Sequence, residues 1–258
     1  MALAAEVWES GSYWHLGQQP AGQLAKLRPN WARLQSEFGF PADWGDLGAR
    51  LERVALQASM QAHGLDANQC KVADWPNSRH QTLIHGDPKA PNFFFQEVSS
   101  SKQSQPQQLN VGIIDMQWCG LGLGAVDVAY CIAASADASV FVADAGRRDT
   151  VAIVGRYVRE YYECLLAAFV KYGNATDSTA AAALLPMEVF QVQFEWAWID
   201  LARVVVGDHW GSLTKAVVAS REGKMSFNAY NKCTEVGRAV MELADAYLRR
   251  REAVPAAS

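Results

Sequence analysis

One stretch, residues 83–130, constrains what this chain can fold into more than any other. It begins LIHGDPKAPNFFF and ends VGIIDMQWCGLGLGAVDVAY, with a polar spacer between the two parts. Asp87 and Asp115 each follow an apolar run, and Asn92 lies five positions after Asp87. A carboxylate that takes a proton, followed by an asparagine and a carboxylate that bind a hard cation, is typical of a magnesium-dependent phosphoryl-transfer site.

The same stretch predicts a β-hairpin. Residues 82–84 form a short extended run, and strands are expected at 92–95 and 111–114. The low-complexity segment EVSSSKQSQPQQLN between those two strands predicts a flexible loop at about 97–110. Pairing of the two strands would bring Asn92 close to Asp115.

A glycine-rich turn is expected after the hairpin. Gly120, Gly122 and Gly124 alternate with apolar residues, and we expect them to form this turn before a helix that begins near Asp127.

Helical patterns occupy most of the remaining sequence, so the expected fold class is α+β and mostly helical. Residues 1–40, rich in Trp and Pro, predict short helices broken by loops. An amphipathic helix is expected from Asp46 to about Gly64, with Leu47, Leu51, Val54, Leu56 and Met60 towards the core. Later helices are predicted with Asp149 as N-cap, with Pro186 in the first turn, and from about 231 to 250, ending in a solvated Arg249-Arg250-Arg251 run.

Composition excludes several classes of protein. A net charge of −4 gives no basic surface for nucleic acid, and no run of 18 apolar residues predicts a membrane span. The N-terminal residues MALAAEVWESG carry an acidic residue where a signal peptide would be basic. The five cysteines have no CxxC spacing, which favours reduced thiols over disulfides or a zinc site. We therefore expect a cytoplasmic protein with no nucleic-acid or membrane partner.

The ordered motifs resemble those of a known family. His85-Gly86-Asp87, four residues, Asn92, then Ile114-Asp115 and the Gly-x-x-Asp-x-Ala segment at 124–129 resemble the aminoglycoside phosphotransferase and choline kinase group. The likeness is closest to its ecdysteroid-kinase-like, or CHK kinase-like, branch. These proteins are ATP-dependent small-molecule kinases with a protein-kinase-like fold, so the resemblance implies ATP as co-substrate and a hydroxylated small molecule as acceptor.

The resemblance also implies roles for individual residues. Asp87 corresponds to the catalytic base, and Asn92 and Asp115 correspond to the ligands of Mg²⁺, which holds the nucleotide.

Three further residues of the motif would support this site. His85 is similar to the residue that braces the catalytic loop, and Lys89 to a lysine near the transferred phosphate. Asp127 is similar to a helix-start aspartate that accepts hydrogen bonds from the loop backbone. For Lys89 a solvated side chain, and for Asp127 a plain helix N-cap, are the ordinary alternatives.

Acceptor specificity in such kinases resides in the C-terminal helices. There the segment FQVQFEWAWIDLARVVVGDHWG offers Glu195, Trp198, Asp200 and Arg203 as candidate substrate contacts, which would suit a cationic or polycyclic hydroxylated acceptor. Asp200 and Arg203, spaced i and i+3, could instead pair with each other, and the aromatic residues could fill the core.

The N-terminal β lobe of a kinase, which binds the phosphates of ATP, is not evident in this sequence. The 84 residues before His85 contain no Gly-x-Gly-x-x-Gly and no strand that carries a lysine. We therefore expect residues 1–258 to form the C-terminal lobe alone, divided into 1–82, 83–130 and 131–258, with the N-terminal β lobe absent. We favour truncation over the two alternatives, degeneration or a lobe from another chain, and expect the isolated chain to be weakly active or inactive. The alternative function is a non-catalytic, helical kinase-like binding domain.

Overall fold

The computed structural model describes residues 8–63, 78–98, 108–141 and 149–253. Within these ranges the chain is mostly helical with short antiparallel strands, as the sequence predicts. The helices are α1 (Leu27–Phe38), α2 (Leu47–His63), α3 (Gly124–Ser135), α4 (Thr150–Lys171), α5 (Ser178–Leu184), α6 (Met187–Val204), α7 (Lys215–Arg221), α8 (Ala229–Lys232) and α9 (Thr234–Glu252). The strands are β1 (Gln81–Ile84), β2 (Phe93–Val98), β3 (Gln108–Ile113) and β4 (Gly120–Leu123).

The predicted hairpin is present. Strands β2 and β3 pair antiparallel, with Phe93 opposite Ile113 and Val98 opposite Gln108. Both strands extend into the segment expected to be a loop at about 97–110, and residues 99–107 lie outside the described residues.

The expected glycine-rich turn at 120–124 is wrong. Residues Gly120–Leu123 form β4, which pairs antiparallel with β1, and α3 begins at Gly124 rather than near Asp127. A Cβ on Gly120 would lie 2.4 Å from the carbonyl oxygen of Trp8, and one on Gly122 would lie 2.6 Å from the Ile84 side chain. These glycines therefore allow close packing within and around a strand, a use that the sequence pattern does not distinguish from a turn.

Helix α6 lies at the centre of the core, where it packs against α2, α3 and α9. The indole Nε1 of Trp198 on α6 donates to the Val240 carbonyl oxygen at 3.0 Å, and the ring is fully buried. On α2 the buried face includes Leu47 and Leu51, as expected, but Leu56 is 49% exposed. The inward face instead continues through small alanines, which let α2 approach α6 closely.

The helix ends follow the predicted capping in part. The Asp149 carboxylate accepts the Ala152 N–H at 2.9 Å at the start of α4, and Pro186 immediately precedes α6. The predicted last helix is divided at Cys233 into α8 and α9.

The basic end of α9 is not simply solvated. Arg250 and Arg251 both pair with Glu195 of α6, and the Arg251 side chain is only 24% exposed. These ion pairs tie α9 to α6, so the expectation of a solvated run is wrong here.

None of the helices in the described ranges is both long and apolar enough to cross a membrane. The cysteines in these ranges are free thiols, namely Cys119, Cys131, Cys164 and Cys233. Cys70 lies outside the described residues.

Candidate active site

The loop between β1 and β2, residues 85–92, begins with a turn that only glycine can make. Gly86 has φ of +82°, and a Cβ there would lie 2.2 Å from the Trp118 carbonyl oxygen and 2.6 Å from the Ser12 nitrogen. Positive φ favours glycine at any site, and here the neighbouring backbone also excludes a side chain. The turn therefore places Asp87 against the loop that carries Trp118.

The Asp127 side chain fixes the backbone of this turn. Its carboxylate accepts the backbone N–H of His85 at 2.7 Å and that of Gly86 at 2.9 Å. Burial raises the pKa of Asp127 above its usual value, although these two N–H groups oppose the shift. Asp127 lies in the first turn of α3, whose N-cap position is Leu123, so its carboxylate binds the loop rather than acting as that helix's N-cap.

His85 connects the loop to the end of the hairpin. Its Nδ1 accepts the Asp87 N–H at 3.2 Å, and its Nε2 lies 2.9 Å from the Ile114 carbonyl oxygen. Because a carbonyl can only accept, Nε2 carries the hydrogen in this arrangement. The imidazole thus bridges the backbone of Asp87 and the residue immediately before Asp115.

Asp87 is 2% exposed, and only one of its two carboxylate oxygens has a partner among the described residues. Its Oδ2 forms an ion pair with Lys89 Nζ at 2.7 Å and lies 3.4 Å from Asn92 Nδ2. Its Oδ1 is buried and accepts no hydrogen bond from the described residues. A buried oxygen without a partner is destabilising, so Oδ1 is the atom that a ligand hydroxyl would satisfy.

Asn92 and Asp115 offer oxygen atoms beside this carboxylate. Asn92 Nδ2 donates to the Asp87 carbonyl oxygen at 2.8 Å, which leaves its side-chain oxygen available. The Ile114 N–H donates to the Asn92 carbonyl oxygen at 3.0 Å, so the hairpin brings Asp115 next to Asn92. Asp115 is exposed and has φ of +65°, a conformation that aspartate tolerates better than most residues.

This donor set fits magnesium, which prefers hard oxygen ligands and takes only one or two protein carboxylates when it also binds nucleotide phosphates. Among the described residues, no group of three or more His, Cys, Asp and Glu side chains could hold a metal ion.

Comparison with known protein families identifies the family of this chain. Residues 12–164 match the family described as APH, phosphotransferase enzyme family, over more than half of the chain. The chain belongs to this phosphotransferase family. Membership implies phosphate transfer to a small molecule, and APH kinases generally use ATP and Mg²⁺. The comparison with curated proteins gave no match, and neither did the comparison with solved structures.

The phosphotransferase has a cavity of about 310 Å³ directly beside Asp87. Its walls are Tyr13, Asp87, Lys89, Gln117, Trp118, Tyr130, Ser226, Phe227, Asn228 and Asn231. The sequence motifs identify only Asp87 and Lys89 in this set. Gln117, Trp118 and Tyr130 lie in the same 83–130 stretch, whereas the remaining walls come from distant parts of the chain, where no local pattern marks Tyr13 or Asn228 as neighbours of the base.

The four candidate substrate residues on α6 do not line this cavity. Glu195 pairs with arginines of α9, and the Trp198 indole is buried against α9. Asp200 and Arg203 are fully buried and form an ion pair at 2.8 Å, the alternative that their i, i+3 spacing allowed. Their side chains therefore hold helices of this phosphotransferase together.

Other buried groups make hydrogen bonds to the Asp200–Arg203 ion pair. His63 Nε2 lies 3.0 Å from Asp200 Oδ2, and Arg203 donates to Gln23 Oε1 and, at 2.7 Å, to the Trp14 carbonyl oxygen. Burial alone would raise the pKa of Asp200, but the Arg203 guanidinium and the His63 hydrogen bond hold it below its usual value. The cluster of His63, Asp200, Arg203 and Gln23 links α2, α6 and the segment before α1.

Proposed function

We propose that this chain transfers the terminal phosphate of ATP to a hydroxyl group of a small molecule, with Asp87 as the general base. The observation that carries the proposal is the buried Oδ1 of Asp87, which lacks a partner among the described residues and belongs to a residue that lines a cavity of about 310 Å³. A hydroxyl bound there would donate its hydrogen to Oδ1 and present its oxygen to the phosphorus. Loss of the proton would then accompany formation of the new P–O bond as ADP departs.

Positioning is the main contribution of the protein to such a reaction. Asp127 fixes the backbone on the N-terminal side of the base, and His85 fixes the N–H of Asp87 itself. Lys89, which pairs with Oδ2 of Asp87, is placed to attract the transferred phosphate while leaving Oδ1 for the acceptor.

Asn92 and Asp115 are the residues that would hold magnesium. When bound, the ion would offset the negative charge of the nucleotide phosphates. The support for this assignment is the chemistry of the oxygen donors and the hydrogen bond from the N–H of Ile114, the residue before Asp115, to the Asn92 carbonyl oxygen. The proposal also assigns the chain to the CHK kinase-like branch. The support for this assignment is the sequence order of the motifs around Asp87, Asn92 and Asp115.

A non-catalytic binding domain is the second candidate. One observation favours it: the described residues before the catalytic loop form α1, α2, short turns and the strand β1, and β1 carries no lysine. A chain of this kind would bind nucleotide weakly and turn it over slowly, if at all.

The test is transfer of label from γ-labelled ATP, with magnesium, to a mixture of hydroxylated metabolites. We expect Asp87→Asn to lower transfer about 10²- to 10⁴-fold, the usual contribution of a general base. Asp43→Asn, an equal loss of charge at an exposed site, should leave transfer unchanged. Transfer by Asp87→Asn at the rate of the native chain would overturn the assignment of the base. Magnesium-dependent ATP binding without labelled product would identify the binding domain instead.

A further inference from the structure

We infer that Trp210 and Tyr230 are positioning residues of the proposed transfer site. They fix the side-chain amides of Asn231 and Asn228, which are walls of the cavity beside Asp87. This inference rests on the proposed function, because it takes that cavity as the place where the substrate alcohol binds. Trp210 and Tyr230 are themselves buried and are not among the described walls, so they act on the substrate only through the two amides.

The turn that leads to Trp210 is irregular. After α6 the chain forms a π-helical turn at Val205–His209, which is closed by a hydrogen bond of 2.8 Å from the Trp210 N–H to the Val205 carbonyl oxygen. Such turns are rare, and they occur often at functional sites. Here the turn places two successive side chains, those of His209 and Trp210, against residues of α8.

Trp210 sets the orientation of the Asn231 amide. Its indole Nε1 donates to Asn231 Oδ1 at 3.0 Å. Because an indole N–H can only donate, the amide oxygen must face the indole, and the NH2 group of the amide is left for a ligand. A Cβ added at Gly237 would lie 2.7 Å from the indole ring, so α9 packs closely against this ring and limits its movement.

The Asn228 amide is held in the opposite sense. Asn228 is the N-cap residue of α8, a position where asparagine usually caps the helix, but its side chain makes no capping hydrogen bond. Its Nδ2 donates instead to the Tyr230 hydroxyl at 2.7 Å and to the Tyr130 hydroxyl at 3.0 Å. Both amide hydrogens are thereby used, and the side-chain oxygen is left for a ligand.

His209 provides the other partner of the Tyr230 hydroxyl. This hydroxyl lies 3.0 Å from His209 Nδ1, and the two rings stack with their centres 5.8 Å apart. Burial lowers the pKa of His209, so the ring is neutral at neutral pH and accepts the Tyr230 hydrogen at Nδ1. The Tyr230 oxygen therefore remains an acceptor for Asn228. The same hydroxyl also interacts with those of Tyr13 and Tyr130.

With both amides fixed, the wall offers one hydrogen-bond donor and one acceptor in set places. Asn228 and Asn231 are three positions apart in the sequence and line the cavity that Asp87 also lines. An alcohol that binds to both amides is held in one orientation towards the base. If either amide were released, it would rotate and exchange its donor for its acceptor. The alcohol would then bind more weakly, although the base itself would be unchanged.

Matched tryptophan substitutions test the role of Trp210. Trp210→Phe removes the indole donor, whereas Trp198→Phe removes a buried indole donor that bonds to the Val240 carbonyl oxygen, also at 3.0 Å. Transfer of labelled phosphate is followed while the mixture of hydroxylated metabolites is diluted at constant ATP, and then while ATP is diluted. We expect Trp210→Phe to need about tenfold more of the mixture for half-maximal transfer, with the maximal rate and the ATP dependence unchanged. Trp198→Phe should keep the native dependence on both.

A second matched pair tests Tyr230. Tyr230→Phe removes the hydroxyl that holds Asn228, whereas Tyr162→Phe removes a buried hydroxyl that donates to the Leu185 carbonyl oxygen at 2.7 Å. We expect the first variant, and not the second, to need about tenfold more of the mixture for half-maximal transfer.

NMR of the intact chain tests the two amides without any ligand. The side-chain NH2 signals of Asn228 and Asn231 are followed in ¹H–¹⁵N spectra. We expect Tyr230→Phe to shift the Asn228 signals and Trp210→Phe to shift the Asn231 signals. The two control variants should shift neither.

Two results would overturn the inference. One is transfer by Trp210→Phe that is either native or reduced equally at every concentration of the mixture, as a general loss of folded protein would give. The other is a set of asparagine NH2 signals that the substitutions at Trp210 and Tyr230 leave in place. Failure of the proposed function looks different, because the native chain would then form no labelled product, and the NMR signals alone would decide whether the amides are held.

Discussion

The Asp127 carboxylate accepts the backbone N–H of His85 at 2.7 Å, so the first turn of α3 holds the turn that precedes the base. The two residues are 42 positions apart in the sequence. The same carboxylate accepts the Gly86 N–H, and no other protein group in the described ranges is seen to hold these two N–H groups.

Asp127→Ala should therefore weaken both the fold and the site. We expect the free energy of unfolding to fall by about 1–3 kcal/mol, because two backbone donors lose their partner, and phosphate transfer to fall further than stability alone explains. Urea unfolding and labelled transfer measure the two effects. Asp177→Ala removes an exposed helix cap at α5 and serves as the control, with a smaller loss of stability and no loss of transfer. Equal effects of the two substitutions would contradict a role for Asp127 in positioning the loop.

Substitutions at two glycines distinguish the free-energy cost of backbone strain from that of a steric clash. Gly86 and Gly173 have φ of +82° and +77°, but only at Gly86 would a Cβ meet other atoms within 4 Å. Gly173→Ala should cost about 1 kcal/mol of unfolding free energy, from strain alone. Gly86→Ala should cost about 2 kcal/mol more, since the Trp118 backbone must move. Similar midpoints of urea unfolding for both variants would show that the clash at Gly86 is relieved without cost.

Nucleotide binding tests the oxygen donors. Asp115→Asn removes one negative charge while keeping a residue that tolerates positive φ, so the fold should be unchanged. We expect magnesium-dependent ATP binding, followed by tryptophan fluorescence, to weaken about tenfold. Asp137→Asn, an equal loss of charge after α3, provides the control. Unaltered affinity of Asp115→Asn would exclude this carboxylate as a metal ligand.

The stability of the fold should depend on His15 at mildly acidic pH. Burial, with the nearby His63, lowers the pKa of His15 to about 4, whereas an unfolded histidine has a pKa of about 6.5. Between these values the unfolded chain binds the proton and the folded chain does not, so stability falls as pH falls from about 6.5 to 4. The shift corresponds to about 3 kcal/mol of unfolding free energy.

His15→Asn retains an acceptor for the Gly17 N–H and removes the titration. Its free energy of unfolding, measured by urea titration at several pH values, should decline less than that of the native chain between pH 6.5 and 4. Parallel curves for the two proteins would contradict the contribution of His15.

The motif residues of the proposed site are close in sequence or joined by the predicted hairpin, so local patterns are enough to group them. Asp87, Asn92 and Asp115 come together through one loop and one pair of strands. The walls of the cavity were not predictable in this way. Tyr13 and Asn228 reach it from opposite ends of the chain, and both contact the Tyr130 hydroxyl on α3.

Glu195 and the Gly120 strand show how contacts with distant segments escape local sequence patterns. A glutamate in an aromatic helix resembles a ligand contact, but its arginine partners lie 55 and 56 residues later and are invisible to local periodicity. Alternating glycines resemble a turn, but Gly120 is small because the backbone of Trp8 and Gly11 passes over it. In both cases the deciding contact is made by a distant segment.

The buried cluster of His63, Asp200, Arg203 and Gln23 also has a consequence for how this sequence can diverge. If one charged residue of the cluster is lost, the opposite charge stays buried without an ion-pair partner. Replacing the whole set with apolar residues of similar volume is often tolerated. Single substitutions at Asp200 or Arg203 should therefore be rare among related chains. We expect these two positions to change together with His63 of α2, so that covariation between α2 and α6 would reveal their contact in an alignment alone.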